Sequence, residues 1–313
     1  MPDNRFLVYG ANGYTGELIA RYAAEYNLLP ILAGRREEAI QSLATRLNYP
    51  YKIFDLTDTT ALLGALRQVK IIVNAAGPFQ FTAKPIIDAC LQAGTHYIDI
   101  NGDISVFEFI RQYDTLARQA GVMVLPGAGF DVVPTDCTAL LLKKIMPEAI
   151  RLILAFATLG GGLSHGTATT MINKLGKGGA VRKNGSIVRQ ALGQKGMWVD
   201  FGVKKRFAMT IPWGDVATAY YTTGIQDVES YTAISPVIYR LLKMQFLFNW
   251  LLRTKFIRRI LKKKIDKGAP GPSDEQRRKA ISLIWGQVTN SQGEKIRREK
   301  KPRPGCKHPM DTL

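Results

Sequence analysis

The sequence predicts an α/β protein, with a Rossmann-type parallel sheet followed by a second α+β domain. Three observations carry that expectation. An apolar run at residues 6–9 enters a glycine-rich turn, Gly10-Ala11-Asn12-Gly13-Tyr14-Thr15-Gly16, and then a helix-like stretch. Apolar runs and helical stretches keep alternating to about residue 125. From about residue 150 strand-like runs, glycines and basic residues replace the alternation. The expected division is a nucleotide-binding domain over 1–140, an α+β substrate domain over 141–293, and a basic tail over 294–313.

The elements follow in order. Residues 6–9 read as a strand, 17–26 as a helix and 28–33 as a second strand ending in Gly34-Arg35-Arg36. Residues 51–54 read as a third strand, closing on Asp55-Leu56-Thr57-Asp58, and 59–69 as a helix. A buried strand at 70–74 leads into Ala75-Ala76-Gly77-Pro78-Phe79 and a helix at 84–94 that ends on a glycine. A strand at 96–100 precedes Asn101-Gly102-Asp103 and a helix over 106–120. A sixth strand at 122–125 runs into Pro126-Gly127-Ala128-Gly129-Phe130-Asp131. Alternation of this kind implies a parallel sheet with helices on both faces, whose ligands bind at the carboxyl ends of the strands. Further on, 151–158 reads as a strand, 164–177 as a helix, and 207–211 and 217–223 as strands of a mixed or antiparallel sheet.

The glycine turn has a chemical reading. A pyrophosphate against a helix N-terminus meets unpaired N–H groups and the positive end of the helix dipole, and side chains at the turn would block it. Gly10 permits the tight turn, Gly13 lets the backbone approach the phosphates, and Gly16 lets helix and strand pack closely. Asn12, Tyr14 and Thr15 complete the turn. An NAD site places Asp or Glu about 20 residues past the glycines to bond the ribose. Arg35 and Arg36 stand there instead, after Gly34, and guanidinium forks suit a 2′-phosphate. The expected cofactor is NADP(H), held by Gly10, Asn12, Gly13, Tyr14, Thr15, Gly16, Gly34, Arg35, Arg36 and Asp55. Ala75, Ala76, Gly77, Pro78 and Phe79 would line the nicotinamide.

Composition narrows the partners. The chain has 313 residues, 46% of them hydrophobic, enough for two cores. Cys90, Cys137 and Cys306 lie far apart and form neither a disulfide framework nor a metal motif, which predicts a reducing, cytosolic compartment and no metal. No signal peptide pattern opens the chain, and no apolar run approaches the length that spans a bilayer. The net charge of +18 is uneven. Residues 1–137 hold 11 Lys+Arg against 14 Asp+Glu, a net of −3, so the remainder carries +21. Such charge invites nucleic acid or an anionic membrane. No nucleic-acid-binding motif or stacking pattern accompanies it, which disfavours nucleic acid. Residues 236–265 read as a basic amphipathic segment, which fits a peripheral contact with an anionic membrane or a helix pair packed on the second domain.

With these motifs assembled, the chain resembles the saccharopine dehydrogenase-like oxidoreductases, a family that includes trans-acting enoyl reductases. The resemblance rests on Tyr9-Gly10-Ala11-Asn12-Gly13-Tyr14-Thr15-Gly16, Ala33-Gly34-Arg35 and Asn74-Ala75-Ala76-Gly77-Pro78-Phe79. It continues through Tyr97-Ile98-Asp99, Gly102-Asp103 and Gly129-Phe130-Asp131-Val132-Val133-Pro134-Thr135-Asp136 to Gly271-Pro272-Ser273, Arg277, Trp285-Gly286 and Gly293. It implies an NADP-binding Rossmann domain and a second domain over the nicotinamide. Asp103 stands where the family often has Glu. After Gly293 the chain departs from the family, which reads as a frameshifted or truncated end or a natural disordered basic tail.

Hydride transfer asks the protein mainly for orientation and charge, since the cofactor carries the chemistry. The candidates for proton transfer are Asp103, Asp131 and His165, with Asp99 and the loop Gly129-Phe130-Asp131 beside them. For Asp99 and Asp131 a structural role, bonding local backbone in turns, fits as well. The apolar, basic segment 236–265 favours an apolar or lipid-linked substrate. A saccharopine-type amino-acid dehydrogenase and a non-catalytic NADP-binding protein at a membrane surface remain as alternatives.

Overall fold

The computed structural model describes residues 4–162, 164–174, 176–245, 249–252, 254–269 and 271–300. The chain divides into two compact units, 1–129 and 130–313.

In the first unit, strands β1 (Arg5–Tyr9), β2 (Leu29–Gly34), β3 (Tyr51–Ile53), β4 (Ile71–Asn74), β5 (His96–Asp99) and β6 (Val124–Leu125) form one sheet. Its order is β3-β2-β1-β4-β5-β6, and each pair is parallel. The order reverses between β1 and β4, the crevice where open α/β sheets bind ligands. Between the strands run α1 (Tyr14–Tyr22), α2 (Glu37–Leu47), α3 (Thr59–Leu66), α4 (Phe79–Ala93), α5 (Ile104–Ile110) and α6 (Asp114–Gln119). Strand β1 shows why the sheet is two-sided. Leu7 and Tyr9 enter the core with Ile72, Ile86, Ile87 and Tyr97, while Phe6 and Val8 enter a second core with Ala20, Ile40 and Leu43. Burial on both faces explains why the strand reads as a continuous apolar run.

The second unit opens with α7 (Val133–Ile145) and β7 (Arg151–Leu159), followed by α8 (His165–Lys174). Next come β8 (Gly179–Lys183), β9 (Ser186–Gln190), β10 (Gly196–Asp200), β11 (Lys205–Ile211), α9 (Asp215–Thr223) and β12 (Asp227–Ala233). Helices α10 (Pro236–Lys243), α11 (Asn249–Leu252), α12 (Lys255–Asp266) and α13 (Asp274–Lys279) precede β13 (Ile281–Thr289) and β14 (Lys295–Lys300). The sheet is mixed, in the order β10-β11-β12-β7-β13-β14, with the β8–β9 hairpin set against β12. Only β7 and β12 pair in parallel. Leu152 and Leu154 of β7 face Ala139 and Leu142 of α7 and Ala219 of α9, while Ile153, Ala155 and Ala157 face Phe201, Tyr231 and Trp285.

Four expectations need correction. The units divide at 129/130 rather than at 140, because α7 buries Ala139 and Leu142 against β7 and β13 of the second sheet. Residues 217–223 are helix, not strand. Val216, Ala217, Ala219 and Thr223 are the buried face of α9, which ends on Gly224 at φ 72° and packs on α7. Residues 295–300 are not tail. They form β14, paired antiparallel to β13 from Ile284↔Lys300 to Thr289↔Lys295. The helix read over 106–120 starts at Ile104 and is broken by a 3-10 turn at Arg111–Tyr113. Cys306 and the rest of the tail after residue 300 lie outside the described residues, as do Phe246 and Phe248 of the basic segment.

Candidate cofactor site and a second-unit carboxylate cluster

The glycine turn sits at the carboxyl end of β1, between β2 and β4. Its backbone is pinned on both sides: Gly10 N donates to Ala33 O at 2.8 Å, and Ala75 N donates to Tyr9 O at 2.8 Å. Gly10 has φ 81°, and a Cβ there would lie 2.8 Å from both the Cβ and the N of Ala76. A Cβ on Gly16 would lie 2.3 Å from Gly10 O and 2.9 Å from Ala11 Cα. Helix α1 starts after Gly13, which offers no side-chain cap, so the helix end keeps open backbone toward the turn. The space that side chains would fill is the cradle a pyrophosphate requires, and the residues present fit that group.

The second strand ends as the sequence predicts. The Asn12 amide, turned with its oxygen to Arg36, accepts from Nε at 3.1 Å and Nη2 at 2.6 Å. The turn and the guanidinium are thereby joined. Arg35 and Arg36 are both exposed, next to Gly34 at the strand end. Asp55 accepts from Thr57 N at 3.0 Å and Thr57 Oγ1 at 2.8 Å. Those bonds, with Arg35 nearby, hold its carboxyl below the ordinary value. Tyr9 donates to Phe54 O at 3.4 Å and stacks at a tilt on Phe54, the centroids 5.3 Å apart.

The segment after β4 is fastened by a buried polar network. Asn74 Oδ1 accepts from Ala76 N at 3.1 Å, and Asn74 Nδ2 donates to Thr82 Oγ1 at 3.1 Å and Tyr97 Oη at 3.2 Å. Thr82 Oγ1 donates to Ala76 O at 2.8 Å. The Gly77–Pro78 peptide is cis, and Phe79 opens α4. Tyr97 donates to Asp99 Oδ2 at 2.7 Å. Asp99 Oδ1 accepts from Asn101 N at 3.0 Å, Asn101 Nδ2 at 2.8 Å and Gly127 N at 2.7 Å. Asp99 is fully buried, and burial raises its carboxyl despite these donors. Its work is structural: it ties β5 to the loops that follow β5 and β6. Thr82 and Tyr97 were not singled out from the sequence as site residues, since a helix threonine and a strand tyrosine carry no local signal of a shared network.

Asp103 is the N-cap of α5, its Oδ1 accepting from Ser105 N at 2.9 Å and Ser105 Oγ at 2.8 Å. The structure thus gives Asp103 a capping duty. His165, at the start of α8, pairs through Nε2 with Asp266 Oδ1 of α12 at 2.8 Å. It joins two helices of the second unit.

Asp131 has different company. In the second unit three carboxyls gather around the starts of α7 and α9: Asp131, Asp136 and Asp215. Asp215 is fully buried, between Thr135 Oγ1 at 2.6 Å and Ser230 Oγ at 3.3 Å. Burial first, and the negative neighbours Asp136 and Asp131 after it, push its carboxyl up to about 8 against the pull of the two hydroxyls. Thr135 Oγ1 also lies 2.9 Å from Val132 O. One hydroxyl proton cannot serve both oxygens, and a protonated Asp215 that donates to Thr135 satisfies both contacts. Asp136 accepts from Thr222 Oγ1 at 2.7 Å, and burial raises it too. Asp131 is half-buried, its main-chain oxygen accepts from Trp213 Nε1 at 2.5 Å, and burial pushes its carboxyl up to about 6. Among the described residues its carboxylate has no hydrogen-bond partner. A carboxyl poised near 6 can give or take a proton close to neutral pH. Asp215 escaped sequence reading because it lies in a stretch read as a turn between strands.

Residues 6–125 match the family described as the saccharopine dehydrogenase NADP binding domain. The match covers 120 of the 313 residues and makes this segment similar to an NADP-binding domain of the saccharopine dehydrogenase type. Over 206 residues the chain is 28% identical to a saccharopine dehydrogenase-like oxidoreductase of Mus musculus, covering 58% of this chain and 48% of that protein. The chain therefore spans about half the length of this curated relative. A Caenorhabditis elegans protein named "Lipid droplet localized protein" is 26% identical over 327 residues, 89% of this chain and 77% of that one. Among solved structures, apo saccharopine dehydrogenase (L-Glu forming) from Saccharomyces cerevisiae matches with a TM-score of 0.64 at 12% identity. That match covers 98% of this chain and 87% of the yeast chain, so the NADP-binding domain and the mixed-sheet unit after it share the saccharopine dehydrogenase fold.

Proposed function

We propose that the protein is an NADP(H)-dependent oxidoreductase that transfers hydride to or from an apolar or lipid-linked substrate. One observation carries the cofactor side: the glycine cradle, whose Asn12 holds Arg36 at the end of β2. Bound NADP(H) supplies the hydride chemistry. Gly10, Gly13 and Gly16 would admit the pyrophosphate, Arg35 and Arg36 would pair with the 2′-phosphate, and Ala75, Ala76, Gly77, Pro78 and Phe79 would line the nicotinamide. Asp131, its carboxyl pushed up to about 6, is the candidate proton carrier within the second unit. The apolar substrate class draws support from the exposed apolar side chains of α10 and α12 and from the name of the nematode relative.

Fluorescence titration with NADPH and NADH tests the first half. NADPH binds tightly and NADH weakly. Arg36→Ala weakens NADPH by about ten-fold or more while leaving NADH nearly unchanged, because a charge-assisted fork to the phosphate is lost. Equal loss for both cofactors would remove Arg36 from the 2′-phosphate. A turnover screen with NADPH then compares enoyl and carbonyl lipids with saccharopine. Turnover of saccharopine alone would establish the amino-acid dehydrogenase reading, and cofactor binding without any turnover would leave a non-catalytic NADP-binding protein.

A further inference from the structure

Helix α10 breaks the usual arrangement of a surface helix, in which the apolar stripe faces the core and the charges face water. On α10, Val237, Ile238 and Leu241, with Met244 just past its end, fall on one stripe, and all are exposed, Val237 and Leu241 to 59% each. The helix is held by its other side. Tyr239 packs against Phe207 of β11 with centroids 4.8 Å apart, and Lys243 donates to Gln194 O at 2.8 Å with its ammonium 5.2 Å from the Tyr239 ring centre. Gln245 donates to Leu192 O at 2.6 Å. Polar and aromatic side chains anchor α10 and the residues just after it to β11 and to the loop ahead of β10, and the aliphatic ones point away.

Helix α12 is apolar on two sides. Ile257, Leu261 and Ile265, four residues apart, are half-buried, and the helix packs on α8. Phe256 and Ile260 face outward, Phe256 at 67% exposure. Trp250 of α11 is exposed, and so is Trp198 on the edge strand β10, set edge-on to Phe207. Along the sequence, residues 230–265 hold nine Lys+Arg and no Asp or Glu.

We propose that the exposed stripes of α10 and α12 dock the protein on an anionic phospholipid surface. Such a surface offers an apolar layer for the aliphatic and aromatic side chains and phosphate charge for the lysines and arginines. Tryptophan suits the boundary between the two. A second copy of the chain is a poor occupant, because its residues 230–266 would bring another nine cations and a single anion, Asp266, which already pairs with His165, against the first nine. Contact is at the surface only, since no described helix is long and apolar enough to cross a membrane. This inference is independent of hydride transfer.

The test is co-sedimentation of the full chain with vesicles of phosphatidylcholine alone and of phosphatidylcholine with about one third phosphatidylserine, at low and high salt. The protein partitions onto the serine-containing vesicles at low salt, and high salt releases it. Val237→Glu with Leu241→Glu, or Phe256→Glu with Ile260→Glu, lowers partitioning by about ten-fold or more, since each pair puts two charges into the apolar layer. Near-UV circular dichroism and the thermal midpoint of the same variants read out whether they fold. Tryptophan emission shifts to the blue on these vesicles, and Trp198→Phe reduces the shift. Absence of binding to anionic vesicles at low salt overturns the proposal, as does partitioning unchanged in both folded variants. Dimerisation of the wild type in sedimentation velocity that Val237→Glu with Leu241→Glu abolishes would make a second copy the occupant and overturn it as well.

Discussion

Asp99, Asp103, Asp131 and Asp215 are four short acids near strand or helix ends, and their surroundings assign them four different duties. Asp99 spends both oxygens on donors from three segments and fastens the loops. Asp103 caps α5. Asp215 sits between two hydroxyls with Asp136 and Asp131 near it, and burial pushes its carboxyl up to about 8. Asp131 alone combines partial exposure with a carboxylate free of hydrogen bonds among the described residues, and it titrates near 6. The capping reading of Asp103 has a direct test. Asp103→Ala lowers unfolding free energy by about 1 kcal/mol, Asp103→Asn restores most of it, and NADPH affinity stays the same in both. Urea unfolding followed by NADPH titration measures the two effects separately, and a loss of affinity without loss of stability would return Asp103 to the candidate site.

At the scale of elements, α7 decides where the nucleotide unit stops. The boundary expected at 140 would cut through it, yet its buried residues face the second sheet. Leu142 is fully buried with Leu152, Leu154 and Val288. Leu142→Ala costs about 2–5 kcal/mol, the range for a leucine truncated in a packed core. The loss appears as early unfolding of the second unit, read from the β7–β13 amides by hydrogen exchange, while the β1, β2 and β4 amides keep their protection. Equal loss of protection in both sheets would place α7 in a core common to both units. A second element-level device is the ion cluster on β12. Burial alone would raise Glu229, but Lys195, Tyr231 and Arg151 around it hold its carboxyl below the ordinary value.

For the molecule as a whole, charge and titration set the response to pH and salt. The first 137 residues carry a net of −3 and the rest +21, so salt acts chiefly on the second half. Asp215 makes stability depend on pH with a definite sign. The unfolded chain gives up this proton near the ordinary carboxylate value of 3.8 and the folded chain near 8. Between those values the unfolded state gains progressively, so this group's contribution to stability falls as pH rises from about 4 to about 8 and is level beyond. Asp131 adds to the same fall over the lower part of that window. Asp215→Asn removes the group, so the variant gains in thermal midpoint relative to wild type as pH is raised across the window. Parallel midpoints for the two proteins at pH 5, 7 and 9 would mean that Asp215 is already ionised in the fold.

Local chain chemistry alone makes the nucleotide-binding turn readable. The run from β1 through the glycine turn to Arg36 is legible because strand period, turn glycines and helix start all lie within a few residues of one another. Its cofactor class followed from which side chains stand at one strand end. Tertiary structure alone decided the rest, and for one reason: the deciding partner lies far along the chain. The stretch 217–223 mixes small apolar and polar residues that suit either strand or helix, and burial against α7 selects helix. The charged stretch 295–300 looks like tail, but a strand can be held by main-chain bonds to β13 whatever its side chains. Asp215 is a proton holder only because Thr135, 80 residues earlier, and Ser230, 15 residues later, meet it in a buried site that Asp136 and Asp131 also approach. A carboxyl's residue type is written in the sequence; its proton affinity is set by what folding brings around it.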